Sequence, residues 1–261
     1  MSPEPLTGSW IDIPVPAGPD AAPTVLSCWW ARPAGEVARA GVLVLPEVFG
    51  VNPWVRSVAD RLAEQGYGAL AVPLFARTAP GLELGYDDAS LAEGRSHKER
   101  TTTPQLLADL GAAADWLSRE LALTPPAVLG CVGFCFGGHA ALLASTLPSV
   151  GATCDFYGAG VATGRPGGGP PSLELLGQVA GRLWCFCGDD DPLIPAAEVA
   201  SIAAALGNAD PSGARHRLMR AAAAGHGYMC SEREVFNEAA AAEGWRSMLE
   251  LFGGELPRRN N

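Results

Sequence analysis

The stretch VLGCVGFCFGGHAALLAS, Val128 to Ser145, constrains the fold of this chain more than any other. Val128 to Val132 is a short apolar run that stops at Gly133. Its length suits a buried strand better than a helix. Phe134, Cys135, Phe136, Gly137 and Gly138 follow, and then a run with helical character. The chain must therefore pass from strand to helix within a few residues. The pattern Gly-x-Cys-x-Gly meets that demand, because flanking side chains would collide in so sharp a turn. Such a turn lifts the Cys135 sulfur to the edge of a sheet, above a helix N-terminus. Backbone N–H groups and the helix dipole favour a thiolate there. Cys135 is thus a candidate nucleophile, and the N–H of Phe136 a natural oxyanion donor. The competing reading is one more buried thiol, the usual place of a free cysteine.

Strand-like and helix-like segments alternate along the rest of the chain. TVLSCWWARP reads as an edge strand, AGVLVLPEVFG as a buried strand running into a loop at Glu47, and YGALAVPLF as the next strand. PWVRSVADRLAEQG has proline near its start, helical apolar spacing and a glycine at its end. Residues 76–103 read as a long polar loop of the kind that serves as a lid or binding segment. An amphipathic helix (TPQLLADLGAAADWLSREL), the elbow, a strand (GATCDFYG) and a turn-rich segment (GRPGGGPP) come next. A strand (RLWCFCG), a helix (PAAEVASIAAALG), a strand (ARHRLMRA) and a closing helix (EREVFNEAAAAEGWRSMLELF) complete the pattern. The tail, residues 253–261, reads as loose. The expected fold is α/β: one domain over residues 1–261, a mostly parallel sheet with helices on both faces. Ligands then bind at the carboxyl ends of the strands.

Composition narrows the function. The net charge of −10 leaves no basic face to displace phosphate counterions, so nucleic acid is not an expected partner. The single lysine, Lys98, stands in the polar stretch, a poor setting for Schiff-base chemistry. No apolar run is long enough for a membrane span, and the first residues lack the basic and apolar regions of a secretion signal. A soluble, cytoplasmic protein is expected. The seven cysteines are odd in number, sit mostly in apolar runs and form no C-x-x-C, so reduced thiols are expected rather than disulfides or zinc. No G-x-G-x-x-G follows the early strands and no Gly-Lys-Ser/Thr triplet occurs, which removes dinucleotide and P-loop readings. No cofactor is implied, and a monomer is the default.

If Cys135 is a nucleophile, an acid and a histidine should follow in that order, each after a strand. GDDDP places three aspartates after an apolar strand, and AAGHGYM places His226 between glycines after another. Asp191 is the first choice for the acid, with Asp189 and Asp190 able to serve the turn instead. His226 is the candidate base and His139 its rival. His97 reads as solvated and His216 as a strand-surface residue. Glu47 is a lone carboxylate at the end of a strongly apolar strand. It is either a loop-surface residue or a member of the site, in which case the N–H of Val48 is the second oxyanion donor. Tyr157 ends a strand beside the expected pocket and is a candidate lining residue. Of the neighbouring Trp29 and Trp30, one should be exposed or at an interface, since successive residues of a strand point to opposite faces.

The stretches PEVFGVNPWVRSVADRLAEQGYGALAVPLFARTAPG, VGFCFGG, FYG, GDDDPLIP and GHGY together resemble the dienelactone hydrolase family of α/β-hydrolases, over about Trp10 to Phe252. The resemblance implies a Cys135–His226–Asp191 triad with Glu47 as an accessory that takes the thiol proton when substrate binds. It implies a small lactone or ester as substrate, a thioester acyl-enzyme and no cofactor. The family's best-known reaction opens dienelactone to maleylacetate in the breakdown of aromatic compounds. Dienelactone-cleaving members hold the substrate carboxylate with arginines, one of them four residues after the catalytic histidine. That position here is Cys230. For the arginine of the long loop this chain offers Arg95 or Arg100, and Arg77 matches a further family arginine. A carboxylesterase or thioesterase with a different acyl pocket is the second reading, and a non-catalytic member that binds a small molecule or a protein is the third.

Overall fold

The computed structural model describes residues 7–34, 38–124 and 127–256. In chain order they form β1 (Thr7–Val15), β2 (Thr24–Arg32), β3 (Gly41–Leu45), α1 (Pro53–Glu64), β4 (Gly68–Ala71), α2 (Asp88–Glu99) and α3 (Thr103–Glu120). Then come β5 (Leu129–Phe134), α4 (Phe136–Ala144), β6 (Val150–Phe156), a 3₁₀ helix (Ser172–Gln178), β7 (Arg182–Gly188), α5 (Ala196–Ala209), β8 (His216–Ala221) and α6 (Glu238–Glu255). The strands make one sheet in the order β1-β2-β4-β3-β5-β6-β7-β8. β1 and β2 run antiparallel, and β3 to β8 are parallel. The mostly parallel α/β sheet expected from the sequence is what forms. Among the described residues no helix is long and apolar enough to cross a membrane.

The central strands are buried on both faces and so carry apolar side chains without alternation. In β3, Val42 and Val44 pack with α1 residues such as Val55 and Leu62, whereas Leu43 and Leu45 pack with α3 residues such as Leu110 and Leu117. β5 divides the same way, with Val132 and Phe134 on the first face and Leu129 and Cys131 on the second. β3 has β4 on one side and β5 on the other, so the winding direction reverses beside β3. The crevice at that reversal is where open α/β sheets bind ligands. Leu45 pairs with Gly133, which brings Glu47 and Cys135, each two residues further on, out at neighbouring strand ends.

Several local expectations change. TVLSCWWARP is the second strand, not the edge. The edge is β1, TGSWIDIPV, whose Pro14 has no N–H to leave unpaired there. The polar stretch 76–103 contains α2, started by the Asp87 carboxylate, which accepts the Ser90 N–H at 2.8 Å. Its sequence lacks helical apolar spacing because its buried face is made of Gly94 and His97. His97 is thus buried rather than solvated, 3.1 Å from Thr78 Oγ1 through Nδ1. His216 is likewise buried instead of lying on the strand surface, with its backbone N–H held by Asp210. Trp30 is in the core, while half-buried Trp29 donates its indole N–H to Asp60 at 2.9 Å. The closing helix starts at Glu238, capped by Asn237, so residues 232–236 form a turn instead of its first turn. α6 also continues through Gly253 to Glu255 in the tail expected to be loose, and the remaining five tail residues lie outside the described ones.

Candidate active site

The turn after β5 has the strained shape its glycines imply. Cys135 has φ 56° and ψ −118°, a conformation that costs about 1–3 kcal/mol for a residue with a side chain. Its N–H donates to the Phe156 carbonyl at 3.0 Å, which ties the turn to β6. A Cβ on Gly133 would lie 1.9 Å from the Gly137 carbonyl oxygen. One on Gly137 would lie 2.4 Å from the oxygens of both Leu45 and Pro46. The motif is therefore fixed by close backbone contact, and α4 starts at Phe136 with no preceding helical carbonyl for that residue's N–H. The Val48 N–H makes no backbone hydrogen bond among the described residues. Gly94 of α2 sits against the Val48 carbonyl and keeps this peptide close to the elbow.

His226 and Asp191 meet beyond the ends of β8 and β7, with Nδ1 to Oδ2 at 2.9 Å. Oδ1 of Asp191 accepts the Leu193 N–H at 2.8 Å, so both carboxylate oxygens are committed and the side chain is buried. Asp189 instead pairs with Arg220 at the surface through Nε at 2.7 Å, and Asp190 lines the cleft. Burial disfavours charge on the His226 ring, but the adjacent Cys135 sulfur and Asp191 outweigh it and raise its pKa to about 10. The ring is thus disposed to hold a proton beside the Cys135 sulfur. Its Nε2 is buried and makes no hydrogen bond of ordinary geometry among the described residues.

His139, the rival base, is engaged elsewhere. Nε2 lies 2.7 Å from Ser172 Oγ and Nδ1 3.2 Å from the Ala159 carbonyl, and burial lowers its pKa to about 4. Tyr157 does not line the cleft as expected. It is fully buried behind the site at φ 43°, its ring edge-on to His226 with centroids 5.1 Å apart. It backs the imidazole and has no open path to a ligand.

Glu47 is a buried member of the site, not a loop-surface residue. One carboxylate oxygen accepts from Arg233 Nη1 at 2.9 Å, and the other, Oε2, is buried with no hydrogen-bond partner among the described residues. Burial raises the Glu47 pKa, opposed by the nearby charges of Arg233 and His226. Arg233 carries no signal in the sequence, since it stands in a turn seven residues after His226. That turn folds back through Cys230 N–H to Gly227 O and Arg233 N–H to Cys230 O. Gly227, at φ 92°, makes room for it, because a Cβ there would sit 2.1 Å from Nη1. Cys230 itself is buried and faces inward, where burial pushes its thiol up to about 12. An arginine is therefore present beside Glu47 although position 230 lacks one.

These groups open on a cleft of about 670 Å³ lined by Val48, Cys135, Phe136, His226 and Arg233, with Arg95 and Lys98 of α2 on one wall and Leu193 and Val235 on another. Of the other expected arginines, Arg77 is not in the cleft: it holds buried Asp109 through Nε and Nη2, the latter at 2.7 Å. Arg100 turns to His97 at 2.7 Å, which leaves Arg95 as the arginine that α2 presents to the cleft. Among the described residues no three His, Cys, Asp or Glu side chains converge as a metal site.

Comparison with known proteins gives a consistent result. The profile of the Dienelactone hydrolase family matches residues 26–256. A Synechocystis sp. protein, provisionally named a carboxymethylenebutenolidase, is 37% identical over 226 residues, which are 87% of this chain and 90% of that protein. A Klebsiella pneumoniae crystal structure, provisionally described as a dienelactone hydrolase, superposes with a TM-score of 0.79 at 25% identity, covering 96% of this chain and 99% of the other. The dienelactone hydrolase of Anabaena variabilis, at 21% identity and a TM-score of 0.63 over 95% of this chain and 99% of the other, shares the fold.

Proposed function

Because this chain belongs to the dienelactone hydrolase family, we propose that it opens small lactones or cleaves small esters with Cys135 as nucleophile, His226 as proton carrier and Asp191 as its anchor. The observation that carries this reading is the convergence at one crevice of a strained cysteine elbow, a His–Asp pair and a buried glutamate.

The Cys135 sulfur attacks the carbonyl carbon, and the carbonyl π electrons move to oxygen. The N–H groups of Phe136 and Val48 stabilise that oxyanion. The tetrahedral adduct collapses, the C–O bond breaks, and His226 passes its proton to the leaving oxygen. A thioester on Cys135 remains. His226 then takes a proton from water, whose oxygen attacks the thioester, and the acid leaves with the sulfur restored. Asp191 keeps the imidazole in the tautomer that serves both transfers. The Arg233 guanidinium reaches the cleft beside Glu47, so the site has an arginine near the reacting carbonyl although position 230 is a cysteine, which supports the lactone reading.

The direct test is steady-state hydrolysis of cis- and trans-dienelactone beside short 4-nitrophenyl esters, with mass spectrometry of quenched enzyme. Lactone opening with an acyl adduct on the Cys135 peptide is the expected result. Ester cleavage without lactone opening would move the protein to the esterase reading. No turnover of either, with no adduct, would leave only the non-catalytic reading.

Glu47 offers a separate check. Its unpartnered, buried oxygen suits transient acceptance of the thiol proton. Glu47→Gln is expected to lower kcat on the order of 10²-fold and to change the rate at which iodoacetamide alkylates Cys135 at neutral pH. Unchanged values of both would leave Glu47 only the task of holding Arg233.

A further inference from the structure

The cleft does not end at Phe136. A side chamber of about 270 Å³ adjoins it, lined by Lys98, His139, Gly160, Thr163 and Arg165, and shares Lys98, Phe136, Gly160 and Thr163 with the main cleft. Its outer wall is fixed. The N–H and hydroxyl of Thr103 both donate to the Pro166 carbonyl, at 2.8 and 2.9 Å, and Gly167 packs directly on Thr102. The Arg165 guanidinium is oriented by two carbonyls, Nε to Pro170 at 2.7 Å and Nη2 to Pro171 at 3.2 Å. Carbonyls hold a guanidinium in place without neutralising it. Neither Arg165 nor Lys98 has an ion pair among the described residues, and the two stand on the wall of one chamber.

Both charges act on the same spot. Burial chiefly lowers the His139 pKa, and Lys98 and Arg165 lower it further, so the ring stays neutral between them. Glu99 is the one carboxylate on the chamber wall, and it pairs with neither cation. In a chain with ten more acidic than basic charges, the chamber brings two cations to one hollow, and one of them, Arg165, is oriented by carbonyls. A bound oxyanion would supply the missing charge.

We propose that this chamber is a specificity subsite in which Lys98 and Arg165 hold a carboxylate-type oxyanion at the far end of an extended ester or lactone substrate. It is separate from the Glu47–Arg233 pair, which faces the sulfur side of the cleft. The proposal rests on the reading of Cys135 as the reacting centre only for which end of the substrate is bound here.

The test has a binding arm and a kinetic arm. Calorimetry with glutarate and, separately, inorganic phosphate is carried out on wild type, Lys98→Met, Lys98→Arg and Arg165→Met. Glutarate affinity should fall at least about tenfold in Lys98→Met and Arg165→Met and be largely kept in Lys98→Arg. Tighter phosphate binding with the same dependence would keep the subsite and make a phosphoryl group its ligand. In the kinetic arm, the ratio of kcat/KM for mono-4-nitrophenyl glutarate over 4-nitrophenyl butyrate should fall by about tenfold or more in Lys98→Met. Absence of binding by either anion, or binding indifferent to both cations, would overturn the proposal. Failure of wild type to hydrolyse either nitrophenyl ester or to open dienelactone would instead sink the Cys135 reading and leave the calorimetric result standing.

Discussion

Cys135→Ala is expected to abolish hydrolysis of lactones and esters, by roughly 10³-fold or more, and to leave the folded structure intact. The size follows from the chemistry, because the covalent step has no other atom to begin from. The other six cysteines are buried, and burial raises the pKa of each of them. Only Cys135 is partly exposed to the cleft. Stability should change little, since alanine keeps the Cβ and meets the same positive φ, and the glycines that permit the turn remain. Circular dichroism and thermal melting check the fold, and steady-state kinetics the rate. Retention of most activity with an unchanged melt would remove Cys135 from the mechanism. Cys135→Ser, which restores an oxygen nucleophile, should recover part of the lost rate in the same assay.

His226→Ala is expected to cost about 10²–10⁴-fold in kcat, while His139→Ala costs less than about tenfold. The two histidines differ in what they face. His226 stands between Asp191 and the Cys135 sulfur, which hold a proton on it against the effect of burial. His139 is kept neutral by burial and spends both nitrogens on Ser172 and Ala159. Removing His139 should therefore lower the melting temperature more than the rate, and the reverse ranking would move the base. His226 also leaves a signature in pH. Its folded pKa, about 10, lies above the ordinary value of 6.5, so its ionisation favours the folded state below about pH 6.5. That contribution is lost as pH rises from 6.5 to 10. The gap in melting temperature between wild type and His226→Ala should accordingly be larger at pH 6 than at pH 10.

What could be read in advance was local. The elbow at residues 133–137 is legible because its glycines answer a steric demand within five residues, and each is met in the structure by backbone oxygens at contact distance. Asp191 and His226 were legible as polar residues just past strand ends, and they do meet at 2.9 Å. β1 escaped because Pro14 stands inside its Ile11–Ile13–Val15 alternation, and a proline argues against a strand unless that strand is an edge, which only the sheet order decides. α2 escaped because its buried face is a glycine and a histidine, which carry no apolar periodicity. Arg77 and Tyr157 were drawn to the site by motif position, yet one is held by Asp109 and the other lies behind His226.

The sequence by itself determined the alternation of strands and helices apart from β1 and α2, the sharp passage from β5 to α4, and the chain order of cysteine, aspartate and histidine. These rest on period, turn sterics and local capping, all of which act between near neighbours. Only the tertiary structure decided that Arg233 pairs with Glu47, 186 residues away, that Lys98 and Arg165 face one chamber, and that Arg95 rather than Arg100 reaches the cleft. Those contacts depend on sheet register, on the winding reversal beside β3 and on how a seven-residue turn folds back. No periodicity within a segment encodes them, because each is a distance between parts of the chain that meet only after the sheet has formed.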